Sequence, residues 1–341
     1  MISLEILSAR HSGERKGESI LKKVLQWGMV CIGLLILALA LMIALGGGTP
    51  PPPMPSVTNV VKALDLTDLP PVSHFRARDG IQLAYRAYPG KADRLAILIH
   101  GSSGCSVNMH AMGRALSTSG VPAFALDIRG HGGSGVRGDI AYIGQLEDDL
   151  ADFVAYLRKT YPLAPITLIG HSSGGGFALR VAGSRMSQLF SQYVLISPFL
   201  HHDAPVSRGK NSGGWVKPFI PRIIALSILH RFGIDWFSGL PVLAFALPES
   251  VREGTRTYSF RLFSNFRPDE DYLGDFRRCR APITLLVGQN DEIFIASRYE
   301  STLEPVKQHV RIKIIPGIGH MAMVSDPAPL REIVRVCKDE G

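Results

Sequence analysis

The stretch Ile166-Thr-Leu-Ile-Gly170-His-Ser172-Ser-Gly174-Gly-Gly constrains this chain more than any other. An apolar, β-branched run feeds straight into Gly-x-Ser-x-Gly, and helix-compatible residues from Phe177 to Ala182 follow. That order predicts a buried strand, a sharp turn carrying a serine, and a helix. The turn holds its serine in a strained backbone conformation, so the flanking positions must be nearly free of side chain. Gly170 and Gly174 supply that freedom. The helix behind aims its first amides and positive dipole end at charge developing beside Ser172. In a chain with 35 glycines the bare motif also reads as a glycine-rich turn with an incidental serine. The strand in front and the helix behind favour a nucleophile.

Three further pieces stand in the order that chemistry needs. Upstream, Leu95-Ala-Ile-Leu-Ile99 ends in His100-Gly101-Ser102-Ser103-Gly104. A strand that opens into small residues suits a loop whose amides face an oxyanion, and the two N–H groups are assigned to Ser102 and Ser173. Downstream, Ile283-Thr-Leu-Leu-Val287 precedes Gly288-Gln-Asn-Asp291, and residues 310–315 precede Pro316-Gly-Ile-Gly-His320. An acid and a histidine thus each follow a strand. His320 would take the proton from Ser172, and Asp291 would hold the imidazole in the right tautomer. Glu292 is the fallback acid.

These residues carry a resemblance. Asp79-Gly80 in a hairpin, His100-Gly101-Ser102, Asp127-Ile-Arg129-Gly-His131-Gly-Gly-Ser134, Gly170-His-Ser172-Ser-Gly174, Gly288-Gln-Asn-Asp291 and Gly319-His320 are its motifs. The chain resembles an α/β-hydrolase of the monoacylglycerol lipase, lysophospholipase and serine aminopeptidase-like group, over roughly residues 72–338. The resemblance implies that the Asp127–Ser134 loop shapes the floor of the site without doing chemistry. His131 is then structural, and His100 and His171 read as neighbours of the site rather than bases.

Outside this region the chain splits into three parts. Residues 1–23 carry Arg10, Arg15, Lys16, Lys22 and Lys23. Residues 24–45 are almost wholly apolar, long enough for a bilayer-crossing helix. A cleavable signal would have a shorter core, so an uncleaved anchor is expected, with cleavage near Ala44-Leu-Gly46 the alternative. The basic residues before the span put the N-terminus in the cytoplasm and the catalytic domain in the periplasm or outside the cell. Residues 46–71 begin Gly-Gly-Gly-Thr-Pro-Pro-Pro-Pro and read as an extended tether.

From residue 72 to 341, strand and helix patterns alternate, which predicts a mostly parallel sheet covered by helices. Strands are expected at 74–78, 81–88, 96–99, 123–127, 166–169, 193–196, 283–287 and 311–315. Helices are expected at 146–157, 295–303 and 329–338. Between about 199 and 281 the alternation stops, and a cap insertion is expected there. Its aromatics, Trp215 and Trp236 among them, read either as a small core of the cap or as a wall for an acyl chain.

The formal charge of +8 suits an anionic surface such as lipid headgroups, and no nucleic-acid motif is present. Cys31 lies in the span. A Cys105–Cys279 disulfide is one pairing an oxidising compartment would allow, and the sequence does not decide it. No Cys/His cluster has metal-site spacing, and no cofactor or metal is expected. The function expected is a membrane-anchored serine hydrolase that cleaves carboxylic esters, lipid-like acyl esters such as a monoacylglycerol or lysophospholipid. An aminopeptidase, amidase or acyltransferase using the same residues is the alternative, with Asp269-Glu-Asp271 as a source of amine recognition. A non-catalytic binding protein is the alternative of another class. Serine at the elbow disfavours dehalogenase and epoxide hydrolase chemistry, which uses aspartate there.

Overall fold

The apolar runs become strands of one eight-stranded sheet. They are β1 (Val72–Arg76), β2 (Gln82–Tyr88), β3 (Leu95–Ile99), β4 (Ala123–Leu126), β5 (Ile166–His171), β6 (Gln192–Ile196), β10 (Ile283–Gly288) and β11 (Arg311–Ile315). The spatial order is β1-β2-β4-β3-β5-β6-β10-β11, and all pairings are parallel except β1 with β2 and β2 with β4. Every residue of β3, β5 and β10 is buried. That is why these strands read as continuous apolar runs rather than alternating ones.

The computed structural model describes residues 2–91, 93–209, 212–248, 251 and 253–338, with side chains except at 2–21 and 61. The side chains of Arg10, Arg15 and Lys16, and residues 339–341 of the expected catalytic domain, lie outside the described residues. Two compact units result, Met1–Gly47 with Phe219–Ile234, and Gly48–Pro218 with Asp235–Gly341.

The first unit is dominated by α1 (Ile2–Leu45), a continuous helix of 44 residues. Its segment Lys22–Leu45, with mean hydropathy 2.9, is long and apolar enough to cross a membrane. None of that segment is buried, and Trp27, Ile32 and Leu34 are all exposed. α6 (Ile220–Arg231) packs against α1, where Arg222 Nε donates to the Ile43 carbonyl at 2.9 Å.

The second unit holds the sheet. On it lie α3 (His110–Thr118), α4 (Gln145–Arg158), α5 (Ser173–Ala182), α9 (Tyr299–Leu303) and α10 (Pro327–Lys338). α4 buries Leu146, Leu150, Phe153, Val154 and Leu157, the face its spacing predicts. The helix expected over 295–303 is shorter. It opens as a 3-10 turn at Ala296–Arg298, and Pro305 then bars a regular α-helical continuation of α9. After β6 the chain forms a separate antiparallel sheet of β7 (Val216–Pro218), β8 (Pro241–Phe245) and β9 (Thr257–Ser259), followed by α7 (Phe260–Asn265) and α8 (Tyr272–Arg278). The two cap tryptophans differ: Trp215 is buried against Phe245, whereas Trp236 is 87% exposed.

The stretch 46–71 is more than an extended tether, because it contains α2 (Pro55–Lys62). Pro55 occupies the first helical position, where a missing N–H costs nothing. Val57 and Thr58 are buried on one face, while Ser56, Asn59 and Lys62 face solvent. Cys105, Cys279 and Cys337 are buried free thiols, so the Cys105–Cys279 pairing is not made.

The motif around Arg129 fastens the hairpin to the sheet. Its guanidinium makes a two-pronged pair with Asp149 of α4, at 2.8 and 2.7 Å, and reaches Asp79 at 2.9 Å. Losing one partner of such a buried pair costs about 3–5 kcal/mol. In α8, burial pushes the Asp275 carboxyl up to about 7 against the opposing pull of Arg278. The folded protein therefore keeps a proton there that the unfolded chain releases near its ordinary value of 3.8. Stability from this group is full below that value and lost as pH rises through about 7. The melting temperature should fall between pH 5 and pH 8, and the fall should shrink in Asp275→Asn; equal pH slopes in both proteins would contradict this.

Candidate active site

β5 delivers Ser172 to the start of α5 at φ 56°, ψ −119°. A non-glycine residue in this region is strained and must be held by its surroundings. The Ser172 amide donates to the Ile196 carbonyl at 2.9 Å, and its carbonyl accepts from Gly176 and Phe199 at 3.0 Å each. The glycines are required by close approach. A Cβ on Gly170 would strike the Gly174 carbonyl, and one on Gly174 would lie 2.6 Å from the Ile99 carbonyl. The elbow thus presses directly on the end of β3.

Asp291 lies in the turn after β10. Its Oδ1 accepts from the amides of Ile293 and Phe294 at 2.9 and 2.8 Å. Its Oδ2 accepts from His320 Nδ1 at 2.8 Å, and both side chains are buried. Burial opposes ionisation of Asp291, but the His320 ring and the Phe294 amide outweigh it and hold the carboxyl below its usual range. With Nδ1 donating to Asp291, Nε2 of His320 is left as the basic nitrogen. Glu292, the fallback acid, takes a different place: its Oε2 accepts from the backbone amide of His320 at 2.8 Å. His171 Nε2 donates to the His320 carbonyl at 3.2 Å, and burial lowers its pKa to about 3, so the ring is neutral.

Ser172 and His320 line one cavity of about 220 Å³. Among the described residues no hydrogen bond joins their side chains. Such contacts are often loose in ligand-free sites and tighten around substrate. Gly101 and Ser102 line the same cavity, and a Cβ on Gly101 would stand 3.1 Å from that of Ser172. Among the described residues, no turn, loop or side-chain acceptor takes up the amides of Ser102 and Ser173.

The cap holds the 101–104 loop in place through Tyr258 and Thr255, which no sequence motif marks, and through Trp215, whose sequence context suggests cap core or an acyl-chain wall. Ser103, at φ 65°, donates its amide to Tyr258 Oη at 2.8 Å. Tyr258 Oη in turn donates to His131 Nε2 at 2.6 Å. Burial holds His131 and His100 below their usual range, and both rings sit in structural hydrogen bonds. Thr255 pairs with Ser103 through its backbone, and Trp215 Nε1 donates to Ser102 Oγ at 2.9 Å. No local pattern marks Tyr258 or Trp215, since their partners are more than 100 positions away. The acidic run 269–271 is engaged elsewhere. Asp269 pairs with Arg180, Glu270 with Arg267, and Asp271 caps α8. Glu253 is the acidic side chain that lines the cavity among the described residues.

Comparison with known proteins identifies the family and the fold. The family model of Hydrolase_4, serine aminopeptidase S33, matches residues 90–327, and the chain belongs to this family. Its fold is that of the α/β-hydrolases of the monoacylglycerol lipase and serine aminopeptidase-like group. Human monoglyceride lipase is 32% identical over 142 residues, covering 41% of this chain and 46% of that protein. The chain spans less than half the length of the first curated relatives it matches. Among solved structures, a soluble variant of Saccharomyces cerevisiae monoglyceride lipase aligns with TM-score 0.60 at 16% identity, covering 81% of this chain and 97% of that one. A bacterial membrane phospholipase A aligns with TM-score 0.55 at 18% identity, covering 94% and 97%.

Tyr258→Phe removes the acceptor of a buried amide and should destabilise the protein by about 1–3 kcal/mol. Trp215→Phe, whose partner hydroxyl faces the cavity, should cost less. Thermal melting of the two variants checks the order, and a Tyr258→Phe protein as stable as the wild type would contradict it.

Proposed function

We propose that this chain is a membrane-anchored serine hydrolase that cleaves carboxylic esters with a lipid-like acyl chain. Ser172 is the nucleophile, His320 the general base and Asp291 the residue that orients it. The observation that carries the reading is the buried His320–Asp291 hydrogen bond of 2.8 Å beside Ser172 on a largely apolar cavity. Ser172 Oγ attacks the acyl carbonyl as His320 Nε2 takes its proton. The amides of Ser102 and Ser173 receive the oxyanion. His320 then returns the proton to the departing alcohol, leaving an acyl-enzyme. Water, deprotonated by His320, adds to the acyl carbon, and collapse expels Ser172 and frees the acid.

The names of the human lipase and the bacterial phospholipase support an acyl ester as substrate. An aminopeptidase would need an acidic group for the substrate amine, and among the described residues Glu253 is the one on the cavity wall. The predominantly apolar surface of the cavity favours the ester. Residues 24–45 serve as the anchor. Its side chains are predominantly apolar and mostly exposed, which suits a lipid environment. The basic residues before it support an N-terminus in the cytoplasm and a catalytic domain on the other side.

Ser172→Ala should abolish turnover of p-nitrophenyl esters in a folded protein. Asp291→Asn should lower kcat by about 10⁴ through loss of the correct tautomer, and Glu292→Gln by far less. A larger loss in Glu292→Gln would move the acid to that residue. The full chain should stay in the membrane pellet through an alkaline carbonate wash, and its release would overturn the anchor.

A further inference from the structure

The cavity wall is not built from the family-matched region alone. Val57, Thr58, Leu64 and Leu66 line it, and all four precede residue 90, where the family match begins. They belong to α2 and the turn behind it, in the stretch whose glycines and prolines suggest a mere spacer.

This segment is clamped at both ends. At its start, the Met54 amide donates to the Ala246 carbonyl at 3.2 Å, just past β8 of the cap sheet. At its end, Asp65 pairs with Arg114 of α3 at 2.8 Å, and His110 Nε2 donates to the Thr67 carbonyl at 2.9 Å. Between the clamps, Val57 packs into the main hydrophobic core. α2 also contacts the turn Met321–Val324, which begins one residue after His320. The strap therefore runs beside the basic histidine's own loop. It presents apolar side chains to the cavity and polar ones, Ser56, Asn59 and Lys62, to solvent.

We infer that this strap is part of the substrate site: Leu64 and Leu66, with Val57 and Thr58 behind them, form the wall along which the substrate's acyl chain lies and so set the chain length accepted. The inference rests on the ester-hydrolase reading for the identity of the occupant. Its physical content is simple. Each methylene laid on an apolar wall gains about fourfold in affinity, so a wall that loses contact with two of them loses on the order of tenfold.

The test uses the full chain in lipid nanodiscs. Leu66→Asp and Leu64→Asn place polar atoms on the wall, and Leu66 is 46% exposed, so its replacement spares the core. Lys62→Gln, on the solvent face of α2, is the control. The first readout is kcat/KM for p-nitrophenyl dodecanoate divided by that for the butanoate. It should fall about tenfold in each wall variant and hold within about twofold in the control. The second readout is dodecanoate affinity relative to hexanoate, measured on Ser172→Ala protein with and without each wall substitution, and it should fall likewise. Ratios unchanged by both wall substitutions, whatever happens to overall activity, overturn the wall. No ester turnover by the wild-type chain, with the binding shifts present in the Ser172→Ala proteins, contradicts the ester reading and leaves the wall standing.

Discussion

Ser172 is held at a positive φ where β5 becomes α5, and the other parts of the site are arranged around that turn. The conformation is tolerable because Gly170 and Gly174 let two backbones meet where a side chain would collide. The same contact presses α5 onto the end of β3 and sets Gly101 against Ser172. One steric constraint thus fixes both the serine and the loop whose amides face it.

The remaining order comes from buried polar groups that pair completely. Asp291 uses one oxygen on two backbone amides and the other on His320, so the imidazole is aimed and its tautomer chosen by groups that cannot easily move. Glu292 and His171 hold the His320 backbone from two other sides. On the cap side, Tyr258 bridges Ser103 to His131, which explains a histidine that is buried, neutral and remote from chemistry. Arg129 plays the corresponding role at the hairpin, joining Asp79 to Asp149.

Much of this was legible in the sequence because it depends on local pattern. The central strands β5 and β10 are wholly buried and appear as unbroken apolar runs ahead of the serine and the acid, while the histidine follows β11, in which exposed Arg311 and Lys313 alternate with half-buried isoleucines. What was not legible depends on long-range packing. Tyr258 and Trp215 look like ordinary cap aromatics until the cap's own sheet brings them to the 101–104 loop. Trp236, of the same residue type, points to solvent. α2 was hidden by composition: four prolines from Pro50 to Pro53 announce an extended chain, yet the next proline opens a helix whose buried side chains, among the described ones, are Val57 and Thr58. Two buried positions are too few to register as periodicity.

The central claim is that Ser172 is a nucleophile activated by its surroundings. Its most direct test is to react the full chain with an alkyl fluorophosphonate and locate the adduct by mass spectrometry. The account predicts one covalent adduct per chain, on the peptide carrying Ser172, lost in Ser172→Ala and formed much more slowly in His320→Ala. An adduct on another serine, or labelling at the same rate without His320, would contradict it.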